Sequence, residues 1–122
     1  MSISYLRRLG VPDVCHKAIV ILRELGLEKD IPYNSYTGSV SFKGSLALAC
    51  GSTLKKLQPW DGSVTEDGIP VPEHSISLFM ETVSYLESLI DDDIDEWSSS
   101  HTFADIVSLI QKAINRIEIA IT

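Results

Sequence analysis

The chain has 122 residues, of which 44% are hydrophobic, and carries a net charge of −7. This length is typical of one domain and the hydrophobic fraction excludes wholesale disorder, so we expect a single α-rich domain over residues 1–122. The acidity disfavours direct nucleic-acid binding, and the longest apolar runs, AIVIL and LALAC, are far shorter than the roughly 20 residues that cross a bilayer.

The first half of the chain predicts two amphipathic helices. The segment VPDVCHKAIVILRELGL (11–27) carries apolar residues at spacings of three and four, with Pro12 suited to a first turn and Gly26 to a stop. The segment GSLALACGSTLKKL (44–57) is the second helix, and Pro59 ends it. Residues 3–9 are compatible with either a short helix or a loose arm.

Helical periodicity is interrupted between these two helices. The segment YNSYTG (33–38) is a turn signal, and SVSF (39–42) alternates between polar and apolar residues as a short strand does. A strand at residues 39–42 would pair with IPY (31–33) as a short β-hairpin.

The second half predicts two more helices, after a long loop over residues 59–75. The segment SISLFMETVSYLESLI (75–90) has one apolar stripe and FADIVSLIQKAINRIEIAI (103–121) has another. Thr102 and Asp105 have the spacing of a capping box, with Asp in the place of the usual Glu. Because four stripes must be buried together, the sequence predicts a mainly α fold: a compact bundle of four amphipathic helices, accompanied at most by the short hairpin.

Five carboxylates occupy six positions between the last two helices: Asp91, Asp92, Asp93, Asp95 and Glu96. Alternating aspartates also open an EF-hand loop, but that loop requires Gly where Glu96 stands and a bidentate Glu where Thr102 stands, so we expect no metal here. The cluster is either a solvated linker or a docking surface for a basic partner. Trp97 then either packs onto the last helix as a staple or anchors the interface.

The rest of the sequence offers no catalytic or cofactor-binding motif. His16, His74 and His101 lack the spacing of a metal site, and the chain contains no HExxH, CxxC, Walker or GxSxG motif. Cys15 and Cys50 lie in predicted helices and are typical of buried, reduced thiols rather than of a disulfide framework. We therefore expect no metal, no cofactor and no enzymatic activity.

Charge is distributed unevenly along the chain. Residues 1–58 contain eight Lys or Arg and four Asp or Glu, a net charge of +4, whereas residues 59–122 contain two and thirteen, a net charge of −11. Only the first half would attract an anionic small molecule or nucleotide. The candidate residues for such an anion site are Arg7, Arg8, Lys43, Lys55 and Lys56. The same asymmetry favours a charged partner or a homo-oligomer.

Two stretches resemble a small domain family of unknown function from bacteria and phages. The segment TGSVSFKGSLALACG (37–51) is similar to its strand, Gly-x-Leu and helix segment, and IDEWSSSHTFADIVSLIQKAI (94–114) is similar to its closing signature. The residues at matching places in that signature are Trp97, Thr102, Phe103, Val107 and Ile110. The chain departs from the family where Ser98 and Ser99 replace Asn-Asp and where Phe42 stands near its usual Cys. The resemblance implies a fold and a phage or mobile-element origin, but no reaction.

From these observations we expect a small, acidic, cytoplasmic protein that acts by protein–protein contact. In a phage setting it would inhibit a host protein by docking on a basic, nucleic-acid-binding surface, because an array of carboxylates mimics phosphates. The residues of this docking surface are Asp91, Asp92, Asp93, Asp95, Glu96 and Trp97. The alternative is a protein that binds or sequesters an anionic small molecule or nucleotide, and a minor enzyme of unknown class is the third hypothesis.

Overall fold

The computed structural model describes residues 3–29, 34, 36–51 and 73–119. These residues are mainly helical, as the sequence predicts. Their helices are α1 (Ile3–Leu9), α2 (Val11–Leu25), α3 (Phe42–Ala49), α4 (Glu73–Ile90), α5 (Ile94–Ser99) and α6 (Phe103–Ile119). None of the helices in these ranges is long and apolar enough to span a membrane.

Two glycines mark the ends of α2. Gly10 joins α1 to α2 with a φ of 101°, a left-handed conformation that glycine adopts without steric cost. Gly26 follows the last turn, and its N–H donates a hydrogen bond to the carbonyl of Leu22. The predicted first helix is therefore confirmed, with Pro12 in its first turn.

The chain ahead of α3 does not form the predicted strand. Ser41 is the N-cap of α3, where its hydroxyl accepts a hydrogen bond from the Gly44 amide at 2.9 Å, and Phe42 is already helical. Val40 forms only an isolated parallel bridge with Leu27. A serine cap thus starts a helix where alternation predicted a strand. The other half of the predicted hairpin, residues 31–33, and residues 52–57 of the predicted second helix lie outside the described residues.

A short helix, α5, occupies half of the segment that the sequence predicts as a linker between α4 and α6. The described residues therefore contain six helices, where the periodicity predicts four. One of the two additional helices is α1, so residues 3–9 form a short helix rather than a loose arm. The other is α5, which is too short for a repeating apolar pattern to reveal it.

One hydrophobic core joins all six of these helices. The long helix α2 packs against α1, α3, α4 and α6, while α5 packs against α3 and α4. Every helix contributes buried apolar side chains to this core, among them Leu6, Leu22, Leu46, Leu86, Ile94 and Ile110. Through Ile94, which has no exposed surface, the core fixes the position of α5 and of the acidic residues around it.

Candidate functional site

The acidic residues between α4 and α6 lie within one segment of six residues, which we name the acidic junction: Asp91, Asp92, Asp93, Asp95 and Glu96. All five of these residues are exposed. Asp91 ends α4, because its N–H donates to the carbonyl of Glu87 at 2.8 Å and its own φ of 53° leaves the helix. The exposure agrees with both interpretations of the cluster, a solvated linker and a docking surface.

Part of the acidic junction is ordered by its own backbone. Asp93 is the N-cap of α5, and its Oδ1 accepts hydrogen bonds from the amides of Asp95 at 3.0 Å and Glu96 at 3.2 Å. Asp92 Oδ1 accepts from the amide of Asp93 at 2.7 Å. Carboxylates at a helix N-terminus interact favourably with the helix dipole. The repulsion among the carboxylates that follow α4 is therefore partly offset by their favourable interaction with the N-terminus of α5.

The acidic junction is held against the core from behind. The Ile94 amide donates to Glu87 Oε2 at 2.9 Å, which ties the start of α5 to the last turns of α4. The Ile94 side chain is buried at the same point. This role of Glu87 is not evident from the sequence, because no local pattern relates Glu87 to a residue seven positions later.

One lysine borders the acidic junction. Lys43 Nζ lies 3.8 Å from Asp95 Oδ2, and the two side chains are 42% and 58% exposed. A surface ion pair of this kind contributes about 0–1 kcal/mol. Lys43 belongs to the predicted anion site, but in the structure its ammonium group is paired with the carboxylate of Asp95.

Trp97 is half-buried, and its ring contacts two other rings. Its centroid is 4.0 Å from that of His101, in a stack with an interplanar angle of 16°, and 6.5 Å from that of Phe42 at 56°. His101 Nδ1 lies 2.6 Å from the carbonyl oxygen of Trp97, and because a carbonyl only accepts, Nδ1 carries the proton. The sequence pattern does not predict this pairing, because His101 lies beyond the end of α5 and the four-residue spacing of helical side chains does not apply to it.

The start of α6 is capped as the sequence predicts. The Thr102 amide donates to Asp105 Oδ2 at 3.0 Å, and the Asp105 amide donates to Thr102 Oγ1 at 3.2 Å. Hydrogen bonds with Thr102 hold the pKa of the Asp105 carboxyl below its ordinary value. The bond from the Thr102 backbone has the larger effect, and the bond with its side chain has the next largest. Lys29 Nζ donates to the carbonyl of His101 at 2.9 Å and so joins the chain after α2 to the same turn.

The predicted anion-binding residues do not converge within the described part of the chain. Arg7 and Arg8 are exposed on α1, which packs against α2, α4 and α6, whereas Lys43 reaches Asp95 on α5. Arg7 lines a cavity together with two carboxylates. Lys55 and Lys56 lie outside the described residues.

The described residues contain no group of three or more His, Cys, Asp or Glu side chains arranged to hold a metal ion. Cys15 and Cys50 are both buried free thiols. Burial raises the pKa of each thiol to about 12. The nearby Cys50 raises the pKa of Cys15 further, whereas Lys17 opposes the increase at Cys50. Thiols with so high a pKa are poor nucleophiles at neutral pH.

Comparison of the chain with protein-family models, with curated protein sequences and with solved structures finds no match.

Proposed function

We propose that this protein is a small acidic protein-interaction module that docks its acidic junction on a basic surface of a partner protein. The observation that carries the proposal is the exposure of all five carboxylates within residues 91–96. Within the described ranges, the one Lys or Arg paired with them is Lys43, at 3.8 Å from Asp95. Most of the negative charge therefore remains free to meet cations from outside.

The fixed backbone of the acidic junction supports a role in binding. Asp93 caps α5, Glu87 accepts from the Ile94 amide, and Ile94 is buried, so the carboxylates project from an ordered turn. A preordered surface loses less conformational entropy when a partner binds. Electrostatic complementarity also increases the association rate and confers selectivity for partners of opposite charge.

The class of partner follows from the spacing of the carboxylates along the chain. Carboxylates spaced along a turn resemble a short run of phosphates, so the matching surface is one that binds nucleic acid through Lys and Arg. We extend the proposal to a phage-type inhibitor on the resemblance of the Trp97 and Thr102 signature to the bacterial and phage domain family. In that role the protein would act in the cytoplasm by contact alone, without a reaction of its own.

The alternative, an anion binder using Arg7, Arg8, Lys43, Lys55 and Lys56, has less support. Lys43 is paired with Asp95, and the cavity beside Arg7 also contains Asp13 and Glu118. Two carboxylates beside the arginine would repel a nucleotide phosphate. Self-association through the oppositely charged halves is a further form of the interaction hypothesis, in which the second copy supplies the cations.

The test measures binding of a nona-arginine peptide by fluorescence anisotropy. One variant carries Asp91→Asn, Asp92→Asn, Asp93→Asn and Asp95→Asn. Asparagine suits this backbone, because it tolerates the left-handed conformation at residue 91 and is as good an N-cap as aspartate at residue 93. We expect the affinity to fall at least about tenfold at low salt, and the wild-type affinity to weaken as ionic strength rises.

A matched variant removes the same amount of charge elsewhere. Asp13→Asn, Glu24→Gln, Asp105→Asn and Glu118→Gln also neutralise four exposed carboxylates. This variant should retain affinity within about threefold of wild type, because its acidic junction is intact. An equal loss in both variants would mean that only net charge matters, and the proposal would then be wrong. The same three proteins, immobilised, can identify a natural partner as one retained by wild type and control but not by the junction variant.

A further inference from the structure

A polar cavity, about half open to solvent, lies where the corner between α1 and α2 meets the C-terminal part of α6. It has a volume of about 350 Å³ and is lined by Arg7, Gly10, Pro12, Asp13 and Glu118. None of these residues belongs to the acidic junction, so the cavity is independent of the proposed docking surface.

The charges of this cavity have both signs. Arg7 contributes a guanidinium, whereas Asp13 and Glu118 contribute two carboxylates. His16 Nε2 lies 3.5 Å from Glu118 Oε1, and both side chains are about half exposed. A purely anionic ligand would be attracted by Arg7 and repelled by the two carboxylates. A purely cationic ligand would be attracted by the carboxylates and repelled by Arg7.

The backbone that lines the cavity is ordered by the helix corner. The Gly10 amide donates to the carbonyls of Leu6 and Arg7, each at 3.2 Å, and the Gly10 carbonyl accepts from the Val14 amide at 3.2 Å. A Cβ built at Gly10 would have no heavy atom within 4 Å, so open space lies beside this residue. Pro12 is buried and has a fixed backbone φ. The ordered backbone at Gly10 and Pro12 therefore forms part of the cavity wall, and Arg7, Asp13 and Glu118 supply its charged side chains.

We infer that this cavity binds a small zwitterion that carries an ammonium group and a carboxylate, such as an amino acid. Its carboxylate would pair with the Arg7 guanidinium, whose planar donors suit a carboxylate. Its ammonium would lie between Asp13 and Glu118. A volume of about 350 Å³ is at the lower end of ligand pockets and fits a small molecule of this kind. Because the three charged side chains are exposed, we expect dissociation constants in the millimolar range, on the order of 1–10 mM.

The test is a titration of the isotopically labelled full chain, followed by amide chemical shifts in NMR spectra. The probes are glycine, β-alanine and γ-aminobutyrate, which differ in the separation of amine and carboxylate. Propionate and propylamine serve as ligands that carry only one of the two charges. We expect at least one zwitterion to produce saturable shifts at Gly10, Asp13 and Glu118, with each single-charge ligand binding at least about tenfold more weakly.

Variants locate the site. Arg7→Gln and Asp13→Asn should each weaken zwitterion binding at least about fivefold, whereas Arg8→Gln, on the adjacent exposed arginine of the same turn, should change it less than about twofold. Circular dichroism checks that each variant keeps its helices. Three results would overturn the inference: no saturation with any zwitterion up to about 100 mM, equal shifts with propionate or propylamine, or an equal loss in Arg8→Gln. Since the acidic junction is unchanged in these variants, none of these results bears on the proposed docking function.

Discussion

The imidazole of His101 stacks on the indole of Trp97, with ring centroids 4.0 Å apart and an interplanar angle of 16°. His101 Nδ1 also lies 2.6 Å from the carbonyl oxygen of Trp97, and the backbone carbonyl of His101 accepts from Lys29 Nζ. The pair therefore links three parts of the chain: α5, the turn before α6 and the segment after α2. The stack and the hydrogen bond with His101 hold Trp97 in place beside the acidic junction.

Replacing His101 by alanine should destabilise the fold. We expect a loss of about 1–2 kcal/mol in the free energy of unfolding, because the variant loses both the ring stack and the hydrogen bond to the Trp97 carbonyl. Urea denaturation followed by circular dichroism measures this loss. His74→Ala is the matched control, since His74 is exposed on α4 and should change stability by less than about 0.5 kcal/mol. Equal effects of the two substitutions would contradict a stabilising role for the stack.

Removal of the Thr102 hydroxyl should weaken the start of α6. The Asp105 amide would lose its acceptor, so we expect Thr102→Ala to cost about 1 kcal/mol of unfolding free energy. Ser108→Ala, at an exposed position in the same helix, should be neutral or slightly stabilising because alanine favours a helix interior. Thermal and urea unfolding measure both variants. A neutral Thr102→Ala would show that the cap contributes nothing.

The low pKa of Asp105 predicts a loss of stability in acid. Its carboxylate is favoured in the folded state by the hydrogen bonds from Thr102, so this contribution is present above the ordinary pKa of about 4 and is lost as pH falls through the lower folded value. The stability difference between wild type and Asp105→Asn should therefore shrink from about pH 5 to about pH 2. Urea unfolding across this range measures the difference. A difference independent of pH would contradict the assignment.

The two buried thiols predict a loss of stability in alkali. Burial favours the neutral form of Cys15 and Cys50 in the folded state, so their contribution is present below the ordinary thiol pKa of about 8.5 and is lost as pH rises toward about 12. Urea unfolding at about pH 8 and about pH 10.5 should show a smaller decrease for the Cys15→Ala, Cys50→Ala double variant than for wild type. Tyr85, whose pKa burial also raises, titrates in both proteins, and only the smaller effect of Cys15 on its pKa differs between them. Equal decreases would show that the thiols do not contribute.

Truncation of Ile94 should test whether α5 depends on the core. Ile94 has no exposed surface, so we expect Ile94→Ala to cost about 2–5 kcal/mol of unfolding free energy. Val20→Ala is the control, because Val20 is 51% exposed on α2 and its removal should cost less than about 1 kcal/mol. Chemical denaturation measures both. A loss as small as that of the control would mean that α5 is only loosely attached.

Most of the helical structure could be predicted because its signals are local. The apolar stripes of α2, α4 and α6 lie in continuous stretches of sequence, and the caps at Gly26 and Thr102 depend on residues within a few positions. A prediction from local pattern was wrong at residues 39–42, where alternation favoured a strand but the Ser41 cap begins α3. The local pattern left residues 3–9 open between a short helix and a loose arm and did not find α5, since seven or six residues are too few to establish a period.

The sequence by itself determined the concentration of charge: five carboxylates within residues 91–96, in a half of the chain with a net charge of −11. Only the tertiary structure decided what surrounds them. The hydrogen bond from Lys29 to His101 joins residues 72 positions apart in the sequence. The ion pair of Lys43 and Asp95 also joins residues that are distant in the sequence. Which distant side chains meet depends on how the helices pack around one core, and no local pattern records that packing. For the same reason, the sequence grouped Arg7 with other cations, whereas the fold places it beside Asp13 and Glu118.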